Sequence, residues 1–546
     1  MELMLGFVVA MSVTMVLIPP LMRMAGRARI LDQPGLRRVH SSPTPRVGGI
    51  AMAAGVLLSL SLWGHFDRTM QAYFAGLFVL LVFGVWDDRS ELGAGIKFLG
   101  QAAAVLLVMV WGGVRIASVT ASDRLPLPDW ISVPLSFLFL IGATNAVNLA
   151  DGLDGLAGGM ALLCLGALAL LALTVGNPFV GSVALVITGA TLGFLRFNTH
   201  PARVFMGDSG SQILGFSAAV LSVCLTQDPL APLSSALPLL LLGVPVIDTL
   251  MVMTQRLLTG HSPFRADSNH IHHRLLALGF DHHEAVMMIY LLQACLFVAA
   301  WFMRYQPDLN IVLVFLGFGA AVIGALRLGA ARGWRWRRPV SGALPASRLS
   351  HQLGWLREPQ RLPRWSAAAS AAAVLGYAVV VLVRLPASGE LRPLLGACAA
   401  VLGLNLGLRW RRDTPNWIDR ACLYLGAVLA VYIDGHSMRE DLPLHDAKLV
   451  LVCVLSLALG ARLWVARDRQ FRINPLDLLV VFTAVTVPNL PGSIASPQAL
   501  GSTAAKLILL LYALESLSFG SGPRWRWLSG GALVFFLACL AGSAGA

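Results

Sequence analysis

Charge is scarce in this chain. Asp, Glu, Lys and Arg make up only 13% of its 546 residues, roughly half of what a soluble globular domain carries. Cysteine offers nothing to compensate. The seven cysteines contain no CxxC pair and no zinc-like spacing, so they suggest neither a disulfide framework nor a cysteine metal site. At the amino end, Met1-Glu2-Leu3-Met4 lacks the basic stretch of a secretory signal and no small-residue cleavage site follows. The first apolar run is therefore expected to stay as a membrane span. What the chain has instead is apolar sequence: 57% hydrophobic residues and a mean hydropathy of +0.72. Its net charge of +13 would suggest nucleic acid in a soluble protein. Here the excess is Arg in short loops between apolar runs, the positive-inside pattern of a membrane protein, and no nucleic-acid partner is expected.

Apolar runs long enough to cross a hydrocarbon layer of about 30 Å recur throughout. In the first part they are Leu3–Met22, Val47–Trp63, Tyr73–Val85, Phe98–Val114, Ile131–Leu149, Leu156–Val175, Phe179–Phe197, Ile213–Leu225, Leu237–Met253, Ala285–Met303 and Ile311–Leu326. Together they predict an all-α polytopic membrane protein with a core of about eleven helices. A basic stretch rich in Arg, Pro and Trp follows, read as a cytosolic linker over 328–365. About seven further runs come after it: Ala367–Val383, Leu394–Leu408, Ala421–Ile433, Leu449–Val465, Leu476–Val487, Leu507–Phe519 and Trp527–Leu540. The expected organisation is a membrane domain over 1–327, the linker, and a second multi-span module over 366–546. In that module Asp419, Asp477 and Glu515 read as helix caps and interface residues.

Arg sets the orientation. Arg23, Arg27, Arg29, Arg37, Arg38 and Arg46 follow the first span; Arg89, Arg203, then Arg256, Arg265 and Arg274 lie in loops an even number of crossings further on. These loops are predicted to face the cytosol of a bacterial inner membrane, with the N-terminus outside.

Five polar motifs share the parity of those loops. DQPGLRRVHSSPTPRVGG occupies 32–49, DDRSE 87–91, NAVNLADGLDGLAGG 145–159, FNTHPARVFMGDSGSQ 197–212 and HSPFRADSNHIHHRL 261–275. Each lies two crossings from the next, so all five fall on one face and predict one composite cytosolic site. Asp87 and Asp88 are adjacent carboxylates at a membrane edge, costly unless a cation or proton joins them; the alternative is a helix cap. Asp151 and Asp154 share a face if helical, as do Asn145 and Asn148 one turn earlier, among glycines that admit close approach. Asp208 sits in a Gly-Asp-Ser-Gly turn before a helix, where N–H groups suit phosphate and the carboxylate suits Mg²⁺. His270, His272 and His273 form an H-x-H-H cluster beside Arg265 and Arg274, suited to phosphate, with zinc as the lesser reading. Arg46 belongs to a basic strip with Arg37, Arg38 and His40 at head-group level.

Taken together and in this order, the motifs resemble the polyprenyl-phosphate N-acetylhexosamine-1-phosphate transferases of glycosyltransferase family 4. The resemblance runs from about Met1 to Arg327. NAVNLADGLDGLAGG and VFMGDSGS carry most of it, and DDRSE with Lys97 and Gln101 fits the family's third loop, with Glu91 where Asp is frequent. SPFRADSNHIHHRLLALGF looks like the WecA/TagO-type undecaprenyl-phosphate GlcNAc-1-phosphate branch rather than the phospho-MurNAc-pentapeptide translocases. The resemblance implies transfer of a sugar 1-phosphate from a UDP-sugar to undecaprenyl phosphate, release of UMP, and initiation of a cell-envelope glycan. It implies Mg²⁺ (with Mn²⁺ able to substitute) held by Asp208 and Asp151, and it leaves room for a homodimer. Asp87, Asp88, Asp151 and Asp154 would be catalytic; Asn145, Asn148, Lys97, His270, His272, His273, Arg46 and Arg265 would bind substrate. A transporter is the competing class, but its carboxylates belong near the midplane and its halves are often repeated; neither holds here.

Overall fold

The computed structural model describes residues 2–32, 43–63, 67–121, 123–260, 269–336, 361–383, 392–408, 417–435, 450–458 apart from 452, and 525–542, with isolated positions between 506 and 517. Arg37, Arg38, His40, Arg265, most of the expected linker, the acidic loop after Asp434 and the runs 476–487 and most of 507–519 lie outside the described residues. The chain divides into two compact units, the first over Met1–Val340 and the second taking in Ser341–Ile473 and Val480–Ala546.

The first unit is a bundle of helices: α1 Glu2–Ala28, α2 Gly48–Trp63, α3 Arg68–Ser90, α4 Ala94–Leu106, α5 Asp129–Leu149, α6 Leu156–Val175, α7 Pro178–Asn198, α8 Gly207–Thr226, α9 Pro238–Leu241, α10 Gly243–Leu258, α11 Ile271–Ala277, α12 His282–Met303 and α13 Asp308–Ala331. A π-helical turn, Leu107–Trp111, prolongs α4. Among the described residues, nine helices are long and apolar enough to cross a membrane, so the protein is an all-α, multi-pass membrane protein. Large apolar side chains such as Phe78, Phe98, Val110, Leu138 and Leu313 point outward, as lipid-facing surfaces require, while α8 is buried along almost its whole length. Helices α2, α3, α5, α6 and α7 all pack against α8.

Polar groups concentrate at the two ends of the bundle. One end holds the small β-hairpin of Ser118–Thr120 and Arg124–Pro126. Gln227 accepts three hydrogen bonds there, from the Ala117 and Ser118 N–H groups and the Ser118 hydroxyl, and Asp308 accepts from Thr120 N–H and Ser234. The opposite end gathers the sequence motifs.

One expected span is corrected. Leu237–Met253 is not a continuous helix but α9 and α10, broken at Leu242 (φ −100°, ψ 19°). Pro245 has no N–H, so the Leu241 carbonyl loses its partner four residues on. Gln293, buried in α12, makes good the loss: its amide donates to Leu241 O at 2.8 Å and its oxygen accepts from Val244 N–H at 3.2 Å. In apolar surroundings each orphaned backbone group costs about 1–3 kcal/mol.

In the second unit, helices Arg361–Val383, Arg392–Leu408, Trp417–Gly435 and Trp525–Gly542 are described. Two buried carboxylates are matched within it. Asp434 accepts from Tyr377 at 3.0 Å and from Lys506 at 2.8 Å, and Asp419 accepts from Asn405 at 2.6 Å.

Gln293→Leu keeps the volume and removes both bonds of the staple. The variant should lose roughly 2 kcal/mol or more of stability, read as a lowered thermal midpoint in detergent.

Candidate active site

The site is assembled around the amino end of α8. Gly48 and Gly49, which open α2, donate their N–H groups to the Phe205 and Met206 carbonyls, both at 2.9 Å, and Phe205 N–H returns a bond to Pro45 O at 2.8 Å. The first motif is thereby laced to the fourth. A Cβ at Gly49 would run into the Gly210 backbone and the Ser209 hydroxyl, so only glycine lets α2 approach α8 this closely. Leu31–Asp32 and Thr44–Pro45 pair as a short antiparallel ribbon, and Arg46 forms an ion pair with Asp32.

Asp88, at the end of α3, accepts three hydrogen bonds from the opening of α8: Asp208 N–H at 2.8 Å, Ser209 N–H at 3.2 Å and the Ser209 hydroxyl at 2.8 Å. It caps a helix more than a hundred residues away, where a carboxylate satisfies free donors and meets the positive end of the dipole. Asp87 turns the other way. Its Oδ1 accepts from Leu92 N–H at 2.6 Å, and its Oδ2 lies 2.6 Å from Lys97 Nζ, which also reaches Asp208 Oδ2 at 2.8 Å. One ammonium on α4 thus bridges the second motif to the fourth.

The third motif lines the next wall. Asn145 and Gln101 exchange hydrogen bonds at 2.7 and 3.2 Å, tying α5 to α4, and Asn148 accepts from Ser211 at 2.6 Å, tying α5 to α8. Asp151, beyond the end of α5, is open to solvent, and its carboxylate has no hydrogen-bond partner among the described residues. Crowding by protein and then the like charges of Asp208, Asp154 and Asp88 push its pKa upward, with Arg46 opposing; its open side makes the like charges the firmer cause. Asp154 accepts from His200 Nδ1 at 2.6 Å and Ala202 N–H at 3.0 Å. Burial would raise its pKa, but these two hydrogen bonds and the His282 and His200 charges outweigh it and hold the carboxyl low.

The His motif closes the bowl. His270 Nδ1 pairs with the buried Asp248 at 2.9 Å, and Asp248 also accepts from Ile271 N–H at 2.7 Å. The His270 and His272 rings are parallel at 5.7 Å, and His273 lies 4.2 Å from His272. A Cβ at Gly152 would overlap the His272 ring, so the third and fifth motifs touch. Burial first, then the neighbouring His273, holds the His272 pKa down to about 3. His272 is therefore a neutral hydrogen-bonding group at physiological pH, not a cation.

All the described site residues expected from sequence line this one end of the bundle. Asp248, Asn198, His200, His282 and Tyr290 were not singled out from sequence. Asn198 accepts from Gly155 N–H and donates to Val204 O, both at 2.9 Å, and Tyr290 donates to Gly155 O at 2.6 Å. An Asp inside the apolar run GVPVIDTLMV was the one signal available for Asp248.

Because the folded-state pKa of His272 lies below the ordinary 6.5 or so, the unfolded chain binds its proton more readily, and stability falls as pH drops from about 6.5 towards 3. The thermal midpoint in detergent should therefore fall more steeply between pH 7 and pH 5 for the unaltered chain than for His272→Gln; equal slopes would show that His272 does not carry the acid sensitivity.

Comparisons agree with this geometry. The sequence model of glycosyl transferase family 4 matches residues 70–226, from α3 to the end of α8. A probable undecaprenyl-phosphate N-acetylglucosaminyl 1-phosphate transferase of Bacillus subtilis is 37% identical over 294 residues, 53% of this chain and 82% of that protein. A decaprenyl-phosphate N-acetylglucosaminephosphotransferase of Mycobacterium tuberculosis is 35% identical over 325 residues, 53% of this chain and 80% of that one. The undecaprenyl-phosphate alpha-N-acetylglucosaminyl 1-phosphate transferase of Escherichia coli K12 is 29% identical over 304 residues, 54% and 83%. With about four-fifths of such relatives spanned by this chain and the motif loops meeting round one helix end, the chain belongs to glycosyl transferase family 4.

Proposed function

We propose that the protein transfers GlcNAc 1-phosphate from UDP-GlcNAc to undecaprenyl phosphate at the cytosolic face of the bacterial inner membrane, releasing UMP and starting a lipid-linked envelope glycan. The observation that carries this reading is the bowl at the α8 amino end, where Asp87, Asp88, Asp151, Asp154 and Asp208 gather with Lys97 and Arg46. Such an excess of carboxylates at a membrane edge suits a divalent cation and a phosphorylated ligand better than either alone. The polyprenyl-phosphate transferases named above support the acceptor, and the Arg-rich loops support the cytosolic side.

In the proposed reaction an oxygen of the lipid phosphate attacks the sugar-bearing phosphorus of the nucleotide. A new P–O bond forms, the bond from that phosphorus to the UMP oxygen breaks, and UMP leaves with the electron pair. Lys97 and Asp87 would meet the lipid phosphate, with Lys97 lending positive charge. Asn148, Asp151 and Asp154 face the nucleotide side; Asn145 steadies that wall through Gln101. Neutral His272, with His270 fixed by Asp248 and His273 alongside, offers N–H donors to the diphosphate, and Arg46 adds charge. The donor set fits Mg²⁺: Asp208 and Asp151 present hard oxygens, and among the described residues no hydrogen bond competes for the Asp151 carboxylate. When bound, the ion would screen the repulsion between the two phosphates and polarise the one under attack.

Detergent-solubilised membranes supplied with UDP-GlcNAc, undecaprenyl phosphate and Mg²⁺ should release UMP. Chelation should stop it and Mg²⁺ or Mn²⁺ restore it, and Asp208→Ala should lower turnover roughly 100-fold or more. No UMP above the Asp208→Ala background, across several UDP-sugars, would overturn the proposal. Because the first unit contains the whole described site, a chain ending before Arg364 should retain the activity in the same assay.

A further inference from the structure

The last turn of α13 returns to the motif end of the bundle, and the chain just beyond it folds back over the surface there. Gly333 takes φ +62°, which turns the backbone sharply. Trp334 N–H then donates to Gly329 O and Trp336 N–H to Leu278 O, both at 2.9 Å. The segment is thereby laid over the turn between α11 and α12. Phe280 stacks on Trp336 with centroids 5.2 Å apart and planes within 8°, and the Trp334 indole lies close to Gly329 of α13. Between these elements is a cavity of about 270 Å³, whose lining includes Arg274, Leu278, Leu326, Ala330, Trp334 and Arg335. Its charge is of one sign, since two guanidiniums and no carboxylate line it. Arg274 is held in place: Nε donates to Asn269 O at 2.9 Å and Nη2 to Gln255 Oε1 at 2.6 Å, which leaves Nη1 uncommitted among the described residues. Arg335 is exposed and makes no hydrogen bond or ion pair among the described residues. The same helix turns large apolar side chains outward, with Leu313, Leu316 and Leu328 each about half exposed.

We propose that this cavity holds the headgroup of an acidic phospholipid, with the phosphate between Arg274 and Arg335 and the glycerol and acyl portion over Leu278, Leu326 and Ala330. A guanidinium presents paired N–H donors that match phosphate oxygens. Basic pockets between membrane helices take acidic headgroups, and Trp sits at head-group depth with its ring against apolar surface and its N–H towards water. The apolar wall decides between a lipid and a free anion. A free anion uses the two arginines and leaves Leu278, Leu326 and Ala330 in water, whereas a lipid covers them and continues along the outward side chains of α13. Occupancy also has a consequence for the bowl. Arg274 belongs to α11, the helix that carries His272 and His273, so a bound headgroup fastens that helix to the end of α13. The cavity is lined by none of the carboxylates of the bowl, and the proposal stands whether or not the sugar-phosphate reading does.

The test titrates the full-length protein, freed of lipid in a neutral maltoside, with phosphatidylglycerol carrying a fluorescent acyl chain. Binding should saturate, and neither phosphatidylcholine nor inorganic phosphate at matched concentration should displace the probe. Arg335→Gln should weaken binding at least about fivefold, the factor that one guanidinium near an acidic headgroup supplies, and Arg335→Glu should weaken it further. Because Arg335 is exposed and supports nothing else among the described residues, both variants should keep the thermal midpoint of the lipid-free chain. Arg332→Gln removes the same charge from the carboxyl end of α13 at a residue that does not line the cavity, and should leave the affinity unchanged. The proposal is overturned if phosphatidylglycerol shows no saturable binding, if phosphatidylcholine or inorganic phosphate displaces it equally well, or if Arg332→Gln costs as much affinity as Arg335→Gln.

Discussion

Lys97 Nζ lies between the carboxylates of Asp87 and Asp208, and this bridge sets the terms on which the other acidic groups can assemble. Like charges crowded at the end of a membrane bundle repel strongly because little water screens them. An ammonium shared by two of them draws α3, α4 and α8 together at the point where repulsion would part them. Asp88 needs no cation of its own, because three donors at the start of α8 hold it. Arg46, anchored by Asp32, faces Asp151 and Asp208 from the first motif. Only then can Asp151, without a side-chain hydrogen bond among the described residues, still be stable in place.

The same economy governs the backbone. Apolar surroundings tolerate no unpaired N–H or C=O, so departures from helix occur where a side chain can step in. Gln293 does this at the Pro245 break, and Asn198 with Tyr290 does it at Gly155, whose φ of +81° ends regular structure just before α6. Glycine supplies the complementary device. At Gly84, as at Gly49, a Cβ would strike Ser209, so α2 and α3 close on the opening of α8 from two sides and bring their motifs into one bowl.

Much of this is legible in sequence, because the membrane reduces topology to counting. Once each apolar run is a crossing, loops two crossings apart share a face, and Asp87, Asn148, Asp208 and His270 must meet on one side whatever the packing. The Asn/Asp spacing of the third motif likewise reports a helix end. Partner choice was not legible. Nothing in the order of residues says that Asp88 would cap α8, that Asp248 would fix His270, or that Asp154 would take His200. Each depends on lateral packing between helices, which hydropathy does not encode. The Leu237–Met253 run was misread for a related reason. Its composition is largely apolar, and the break follows from one missing N–H and a glutamine about fifty residues later.

Adjacent residues in a helix point about 100° apart, and this separates the roles of Asp87 and Asp88 more sharply than their spacing suggests. With α3 helical to Ser90, the two carboxylates take different partners. Asp88 accepts three hydrogen bonds from the start of α8, while Asp87 lies beside the Lys97 ammonium on α4. Loss of activity on removing Asp88 would therefore report a displaced α8, with Asp208 carried out of position, before it reported any missing proton acceptor. The acidic pair is one motif in sequence and two devices in space, an anchor for the α8 amino end and a charge partner for Lys97.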